Sequence, residues 1–411
     1  MARRFVIACF LAGMIATHIF FLWRVRDRIA RADPDFTVFY TAARILRQGR
    51  SSDLYAPRTQ QLVQQQFAHD SDIRRGPLPY IHPPFEALVF LPLTFLPYES
   101  AFWLWNAANL GILFAIALLL RQSLLSLRRF SAWTLALASL AFFPIFANFH
   151  QGQDAILLLL LVVLGFRALD REKDFAAGCW LGLAVFKYHL IVPLVLILAV
   201  WKIRDAKAGQ KRTGRSFIFG FFTLASAAVL VSLAITGWRG AMQYPIYVWH
   251  IVSVPGFGNI PFRQLPNIVG LLAGWPHLET LGWPVQIIVL ICSAGVWISV
   301  ARLRAVVNSK ASANLAIACA VVAALLVGYN TNTYDLSLLI VPLAIAADDV
   351  DRKSQSGDSR RRLLWPTLPL LFSPLWFYLW LRWERINLIA IFLLWWLFEL
   401  RREILRSNEP A

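Results

Sequence analysis

Long uncharged segments, separated by short charged loops, run along most of the chain. Seven of them contain no Asp, Glu, Lys or Arg: residues 5–23, 100–120, 131–149, 216–237, 280–301, 311–334 and 363–381. Roughly 18 or more such residues are enough for a helix to cross about 30 Å of hydrocarbon. A transmembrane β-barrel would instead show alternating segments of about ten residues. The pattern therefore predicts an all-α, polytopic integral membrane protein.

Shorter apolar segments raise the predicted number of spans to about twelve, within a single membrane-embedded domain over residues 1–411. The predicted helices are 5–23, 100–120, 131–149, 155–166, two within 175–203 that meet at 187–189, 216–237, 281–301, 311–328, 336–347, 363–381 and 386–398. A further apolar run ends at Pro97 and is interrupted by Pro92, which predicts a re-entrant segment. No internal repeat and no matched halves are present, although many transporters carry such halves.

The charged residues indicate which loops face the cytoplasm. The chain has 40 Lys and Arg against 23 Asp and Glu, and its net charge is +17. The basic residues are clustered in short loops, which the positive-inside rule assigns to the cytoplasm. Nucleic-acid binding would require one basic face, so no nucleic-acid partner is predicted. We expect both termini in the cytoplasm and the first apolar run to be an uncleaved anchor.

Two longer segments are then predicted on the non-cytoplasmic side, residues 24–82 and residues 238–279. The first contains helical spacing over 36–48, which ends at Gly49, and a second helical candidate over 59–69. We expect both to be short helices at the membrane surface. The second outer segment is rich in Trp, Tyr, Pro and Gly.

Asp35 is the acidic residue that best fits a catalytic role. It follows Asp33 and Pro34 and precedes a helical stripe of aromatic residues that includes Tyr40. Carboxylates at a lipid boundary are costly unless they have partners or a function, and a desolvated carboxylate can act as a general base. Alternatively, Asp35 caps the following helix, or the Asp-x-Asp pattern holds a divalent cation.

Other polar residues interrupt apolar sequence and are candidates for substrate binding. Lys187 could anchor a phosphate, or its ammonium could reach the membrane surface from a helix end. Gln151 and Gln153 lie in a polar turn and could bind sugar hydroxyls, although turns are normally polar. Arg263, in the second outer segment, could bind a phosphate with its fork of N–H donors. For His189, and for the polar segment that contains Tyr334 and Asp335, substrate binding and an ordinary structural role are likewise both compatible with the sequence.

Five pieces of the chain, in order, resemble glycosyltransferase family 87. They are Asp35-Phe-Thr-Val-Phe-Tyr-Thr-Ala-Ala-Arg-Ile-Leu-Arg-Gln-Gly49, Asp53-Leu-Tyr55, His82-Pro-Pro-Phe85, Gln151-Gly-Gln153 and Gly182-Leu-Ala-Val-Phe-Lys187. The resemblance implies the GT-C architecture, with a cavity facing the periplasm or exterior of a bacterial inner membrane, and a polyprenyl-phosphate hexose as donor. The chain departs from the family where it reads Asn332-Thr-Tyr-Asp335, because the family often has a His-containing motif there.

The resemblance implies that Asp35 is the catalytic base of an inverting hexose transfer to a lipid or glycan acceptor, with a mannose-like sugar. We predict as substrate-binding residues Tyr40, Tyr55, His82, Gln151, Gln153, Lys187, His189, Arg263, Tyr334 and Asp335. No cofactor and no metal ligand are predicted, and a metal requirement is left open. The rival hypotheses are a transporter or flippase for a lipid-linked or anionic substrate, and an assembly subunit without activity.

Overall fold

All regular structure in the described part of the computed structural model is helical; that part comprises residues 2–68, 78–207, 213–253, 261–275, 282–352 and 362–406. The α-helices are Ala2–Arg24 (α1), Arg26–Ala30 (α2), Phe36–Arg47 (α3), Pro57–Gln65 (α4), Ala87–Phe90 (α5), Tyr98–Ser123 (α6), Ala132–Leu140 (α7), Phe143–Gln151 (α8), Ala155–Asp170 (α9), Asp174–Leu183 (α10), Tyr188–Lys207 (α11), Thr213–Ser253 (α12), Ile268–Ala273 (α13), Trp283–Ala301 (α14), Lys310–Val327 (α15), Ile340–Arg352 (α16), Thr367–Leu371 (α17), Ser373–Tyr378 (α18) and Ile389–Arg406 (α19). Short 3₁₀ segments include Pro84–Glu86, Leu91–Phe95, Ala184–Lys187 and Thr333–Leu339.

The structure confirms the all-helical class, but it does not confirm twelve spans. Among the described residues, six helices are long and apolar enough to cross a membrane: Phe5–Arg24, Tyr98–Ser123, Asp174–Asp205, Gly214–Ile251, Trp283–Val306 and Lys310–Val327. A seventh span is possible if α7 and α8, which meet at a bend of 75°, count together.

Two features of the sequence account for part of this difference. The two helices predicted within 175–203 form one continuous apolar span, because the short 3₁₀ segment Ala184–Lys187 joins α10 to α11. The run 363–381 instead divides into short helices, since Pro366, Pro369 and Pro374 each remove a backbone donor and restrict the helix interior. A count of uncharged residues shows neither that two helices join into one span nor that prolines divide a run.

The first outer segment contains both predicted helices, with slightly different bounds, as α3 and α4. Nine of the twelve side chains of α3 are buried, and α3 packs against α4, α5 and the segment Leu91–Phe95. A helix lying at a membrane surface would expose its polar face. The burial of α3 therefore places it in the core of the protein, and the end of the predicted second helix at His69 lies outside the described residues.

Close contact between α10 and α12 fixes the position of the segment that carries Lys187. A β-carbon added at Gly178 would lie 2.1 Å from the backbone oxygen of Phe217, and one added at Gly220 would lie 2.1 Å from that of Phe175. Small residues that let helix backbones approach are typical of helix packing in membranes. The glycines thus hold the end of α10, and the 3₁₀ turn that follows it, against α12.

Candidate active site

A cavity of about 340 Å³ opens beside Asp35. Its aromatic wall is formed by Phe143 and Phe146 of α8 and by Trp380. Its polar lining is His150, Gln151, Gln264, Asn332, Thr333 and Tyr334. Ligand sites in proteins are commonly concave, largely apolar and of roughly 300–1,000 Å³, with a few polar groups that fix orientation. This cavity has that character, and Asp35 is its acidic lining residue.

The turn between α8 and α9 brings two glutamines to Asp35. Gly152 ends α8 in a left-handed conformation, with φ of 61°, and a β-carbon there would lie 2.8 Å from side-chain atoms of Phe36 and Phe102. Glycine is favoured at such a helix end and is required by this close packing. The sharp turn places Gln151 and Gln153 on either side of the Asp35 residue.

The two glutamines hold Asp35 through different groups. The backbone N–H of Asp35 donates to Oε1 of Gln151 at 3.1 Å. Nε2 of Gln153 donates to Oδ2 of Asp35 at 2.9 Å. Although Asp35 directly precedes α3, its side chain makes no capping hydrogen bond to that helix. The capping interpretation therefore does not describe the structure, and the carboxylate is oriented by the α8–α9 turn.

Lys187 lies behind this turn and connects it to two buried carboxylates. Its Nζ is 3.0 Å from Oδ1 of Asp154 and 3.2 Å from Oδ1 of Asp335. The same Nζ donates to Oε1 of Gln153 at 3.4 Å and lies 4.8 Å from the ring centre of Tyr334. Only 3% of the Lys187 side chain is exposed. An ammonium at this depth requires compensating charge, which the two aspartates supply.

The ionisation of Asp154 and Asp335 follows from this arrangement. Burial alone would raise the pKa of Asp154, but the Lys187 ammonium, the hydrogen bond with Glu86 and the nearby His82 together outweigh burial and hold that pKa at about 2. Burial likewise opposes ionisation of Asp335, whose pKa is lowered chiefly by Lys187. Asp335 also accepts a hydrogen bond from the backbone N–H of Asn332 at 2.8 Å. Both carboxylates are therefore ionised at neutral pH.

A second buried group extends from Asp154 away from Lys187. His82 Nδ1 is 2.8 Å from Oε2 of Glu86 and 4.0 Å from Oδ2 of Asp154. Burial lowers the pKa of His82 to about 4, and burial together with the nearby Asp154 charge raises the pKa of Glu86 well above its usual range. Tyr55 fixes the backbone here, because its hydroxyl donates to the His82 carbonyl at 2.7 Å.

The structure thus brings together most of the residues singled out from the sequence, but in different positions. Asp35, Gln151 and Tyr334 line the cavity, whereas Gln153, Lys187 and Asp335 lie behind Asp35. His189 is 3.9 Å from Asp335. His82 lies at the far side of Asp154.

Three predicted residues lie elsewhere. The hydroxyl of Tyr40 donates to the carbonyl of Leu96, and both Tyr40 and Tyr55 are buried without lining the cavity. Arg263 pairs with Glu384 at 2.9 Å, and both side chains are about half exposed. Arg263 directly precedes Gln264, which does line the cavity. Residues 254–260 and 276–279 of the second outer segment lie outside the described residues.

Several lining residues were not identified as site residues from the sequence. His150 belongs to the same polar turn as Gln151 and contacts it, with 2.9 Å between His150 Nδ1 and Gln151 Nε2, so its position beside the two glutamines was a usable signal. Trp380 lies in an apolar run among many other tryptophans and carried no such signal. Asp154 directly follows Gln153, and Glu86 lies four residues after His82, but neither was singled out from the sequence.

These features define a class of protein: within the ranges that the structure describes, all regular structure is helical, six helices are of membrane-spanning length, and a carboxylate is oriented beside a cavity. The model of glycosyltransferase family 87 matches residues 80–328, which is more than half of the chain. The chain belongs to glycosyltransferase family 87. The matched range contains His82, the α8–α9 turn and Lys187, and Asp35 lies before it.

A curated relative gives a more specific likeness over a shorter range. The chain is 28% identical over 110 residues to the polyprenol-phosphate-mannose-dependent alpha-(1-2)-phosphatidylinositol pentamannoside mannosyltransferase of Mycolicibacterium smegmatis. The matched segment is 26% of this chain and 26% of the relative, so it spans about a quarter of the length of either protein. No solved structure matches the chain.

Proposed function

We propose that the protein is a membrane glycosyltransferase that moves a mannose-like hexose from a polyprenyl-phosphate donor to a hydroxyl of a lipid or glycan acceptor. The family supports glycosyl transfer, and the named donor of the mycobacterial relative supports the donor class. The observation that carries the proposal is the Asp35 carboxylate, held by Gln153 at the edge of the cavity.

In this proposal Asp35 is the general base. An alcohol is a poor nucleophile, and a carboxylate within hydrogen-bond reach accelerates its attack by about 10²–10⁴-fold. The acceptor O–H gives its proton to Asp35 while the acceptor oxygen forms a bond to the anomeric carbon. The bond from that carbon to the phosphate oxygen breaks, and polyprenyl phosphate leaves. One displacement of this kind inverts the configuration at the anomeric carbon.

The donor occupies the cavity in this scheme. The aromatic wall of Phe146 and Trp380 provides an apolar surface for the sugar ring, and Gln151 and Tyr334 offer hydrogen bonds to its hydroxyls. The leaving phosphate is already acidic, so it needs cationic N–H donors rather than a proton. Arg263 precedes the lining residue Gln264 and is about half exposed, which makes it the donor-side cation that we propose.

In this proposal Lys187 supports Gln153 and does not bind the phosphate of the donor. Its ammonium is buried and engaged by two aspartates, so a phosphate could approach it only by displacing them. We assign it to the support of Gln153, since it contacts Oε1 of that amide. The amide is thereby oriented with its N–H group toward Asp35.

We also propose that the site faces the non-cytoplasmic side of a bacterial inner membrane. Asp35 follows the first span in the long segment 24–82, which contains arginines of its own, but long loops are translocated largely regardless of charge. The basic clusters of the short loops, which the positive-inside rule assigns to the cytoplasm, lie between later helices. A polyprenyl-phosphate sugar presented on that side would reach the cavity from the membrane, with its tail remaining among the lipids.

The test is to incubate membranes containing the protein with polyprenyl phosphate carrying radiolabelled mannose, and to separate the lipids afterwards. The proposal predicts a new labelled glycolipid or glycan that is absent from membranes without the protein. The product's anomeric configuration should be opposite to that of the donor. Movement of intact labelled donor across vesicles, with no new product, would instead support a transporter or flippase.

A further inference from the structure

The group formed by His82, Glu86 and Asp154 has the composition of a metal site. One ligand atom from each residue lies within 4.8 Å of those of the other two. Glu86 and Asp154 are buried, with exposed fractions of 1% and 0%, and His82 Nδ1 is 2.8 Å from the nearer Glu86 oxygen. An imidazole with two carboxylates is a ligand set used by zinc.

The carboxylate oxygens of Glu86 accept no hydrogen bond among the described residues. His82 Nδ1, although close to one of them, is not aligned for a hydrogen bond, and the other close polar neighbour of Glu86 is the Asp154 carboxyl, itself an acid. A buried carboxylate without donors is costly. A cation placed between Glu86, His82 and Asp154 would satisfy these oxygens at once, since Oδ2 of Asp154 faces His82 while Oδ1 faces Lys187.

The charges of the buried region lead to the same conclusion. Asp154 and Asp335 share the single Lys187 ammonium. Glu86, buried beside Asp154, forms no ion pair with a lysine or arginine among the described residues. Buried carboxylates are retained when they are paired or coordinate a metal. A cation bound at this group would serve Glu86 as Lys187 serves the two aspartates.

We propose that His82, Glu86 and Asp154 bind one divalent transition-metal ion of the zinc class. Zinc bonds of about 2.0–2.2 Å with tetrahedral geometry place ligand atoms roughly 3.4 Å apart, so side-chain shifts of less than about 1 Å complete the site. Three protein ligands leave the fourth position for water. The ion fixes Asp154, which holds Lys187, which in turn supports Gln153 behind Asp35.

The site can be tested without reference to sugar transfer. Detergent-purified protein is stripped with a chelator, loaded with Zn²⁺ alone, dialysed, and its zinc content measured by mass spectrometry. We expect about one zinc per chain in the wild type. We expect a loss of at least tenfold in His82→Ala and in Glu86→Gln. His250→Ala removes an exposed histidine and should retain the full content.

Absence of retained zinc in the wild type, or equal retention in all variants, would overturn the proposal. If the buried variants do not fold, X-ray absorption of zinc-loaded wild-type protein decides the matter. A shell of nitrogen and oxygen ligands with one imidazole is expected, and a shell of water alone or of sulfur would contradict the site. Since zinc content does not depend on activity, a failure of the proposed glycosyl transfer would leave this result unaffected.

Discussion

Gln153 donates a hydrogen bond from Nε2 to Oδ2 of Asp35 at 2.9 Å, while its Oε1 faces the Lys187 ammonium at 3.4 Å. An amide can be flipped by 180°, and its two ends then exchange donor and acceptor roles. The ammonium can only donate, so it selects the orientation in which the amide N–H group points to Asp35. The position of the Asp35 carboxylate therefore depends on buried residues, because Lys187 orients Gln153 and Gln153 donates to Asp35.

The first prediction concerns this amide. Gln153→Ala removes the donor that orients Asp35, and we expect kcat to fall by roughly ten- to a hundredfold because a misplaced base loses much of its effect. The KM for the lipid donor should change little, since Gln153 does not line the cavity. Steady-state rates measured with the labelled donor check this. Unchanged kcat with a raised donor KM would show that Gln153 binds the sugar instead.

Replacement of Lys187 separates a structural role from a phosphate-binding one. Lys187→Met leaves Asp154 and Asp335 without their cation, and removing one partner of a buried ion pair costs about 3–5 kcal/mol. We expect a lower melting temperature in detergent and reduced membrane levels. The control is Lys310→Met, whose partner is Asp170 and whose side chain is 65% exposed; such pairs contribute little. A stable Lys187→Met protein with only a raised donor KM would favour the phosphate anchor.

Gly152 provides a test of the turn itself. Gly152→Ala forces a side chain into a left-handed conformation, which costs about 1–2 kcal/mol, and it also requires the Phe36 and Phe102 side chains to shift. We expect lower thermal stability and lower activity together. Gly111→Ala is the matched control, because a β-carbon at Gly111 meets no atom within 4 Å and alanine is favoured within a helix. Equal melting temperatures for the two variants would contradict the turn geometry.

The donor-side role assigned to Arg263 predicts a change in KM. Arg263→Lys keeps the charge but loses the planar fork that binds a phosphate through two N–H groups. We expect the KM for polyprenyl-phosphate mannose to rise about tenfold, with a smaller change for the acceptor. Arg239→Lys, at an exposed position of α12, should behave as wild type. Identical donor KM values for both variants would remove Arg263 from the site.

The sequence allowed the class of fold to be predicted, because a membrane helix must satisfy its own backbone and exclude charge over its whole length. The number of spans was less predictable. The run 363–381 is uncharged, yet its prolines divide it. The break predicted at 187–189 lies where the 3₁₀ turn Ala184–Lys187 meets α11, within a continuous span. Hydropathy records how apolar a segment is, and it does not record whether lipid or protein covers it.

The sequence drew attention to several residues that lie together in the candidate site, but it did not indicate how they are arranged. Asp35, Gln153 and Lys187 each stood out from their surroundings, and they do meet. The sequence favoured a phosphate or the membrane surface as the partner of Lys187, because a lone lysine in an apolar run indicates a nearby negative charge but not its source. That source is Asp154 and Asp335, which lie on two other parts of the chain.

The central claim is that the Asp35 carboxylate accepts the acceptor's proton. Its most direct test is the initial rate of hexose transfer from labelled polyprenyl-phosphate mannose by Asp35→Asn, measured at matched membrane levels. Asp53→Asn, which alters an exposed carboxylate of the same outer segment, serves as the control. The account predicts a loss of about 10²–10⁴-fold in Asp35→Asn and a wild-type rate in Asp53→Asn; a wild-type rate in Asp35→Asn would contradict it.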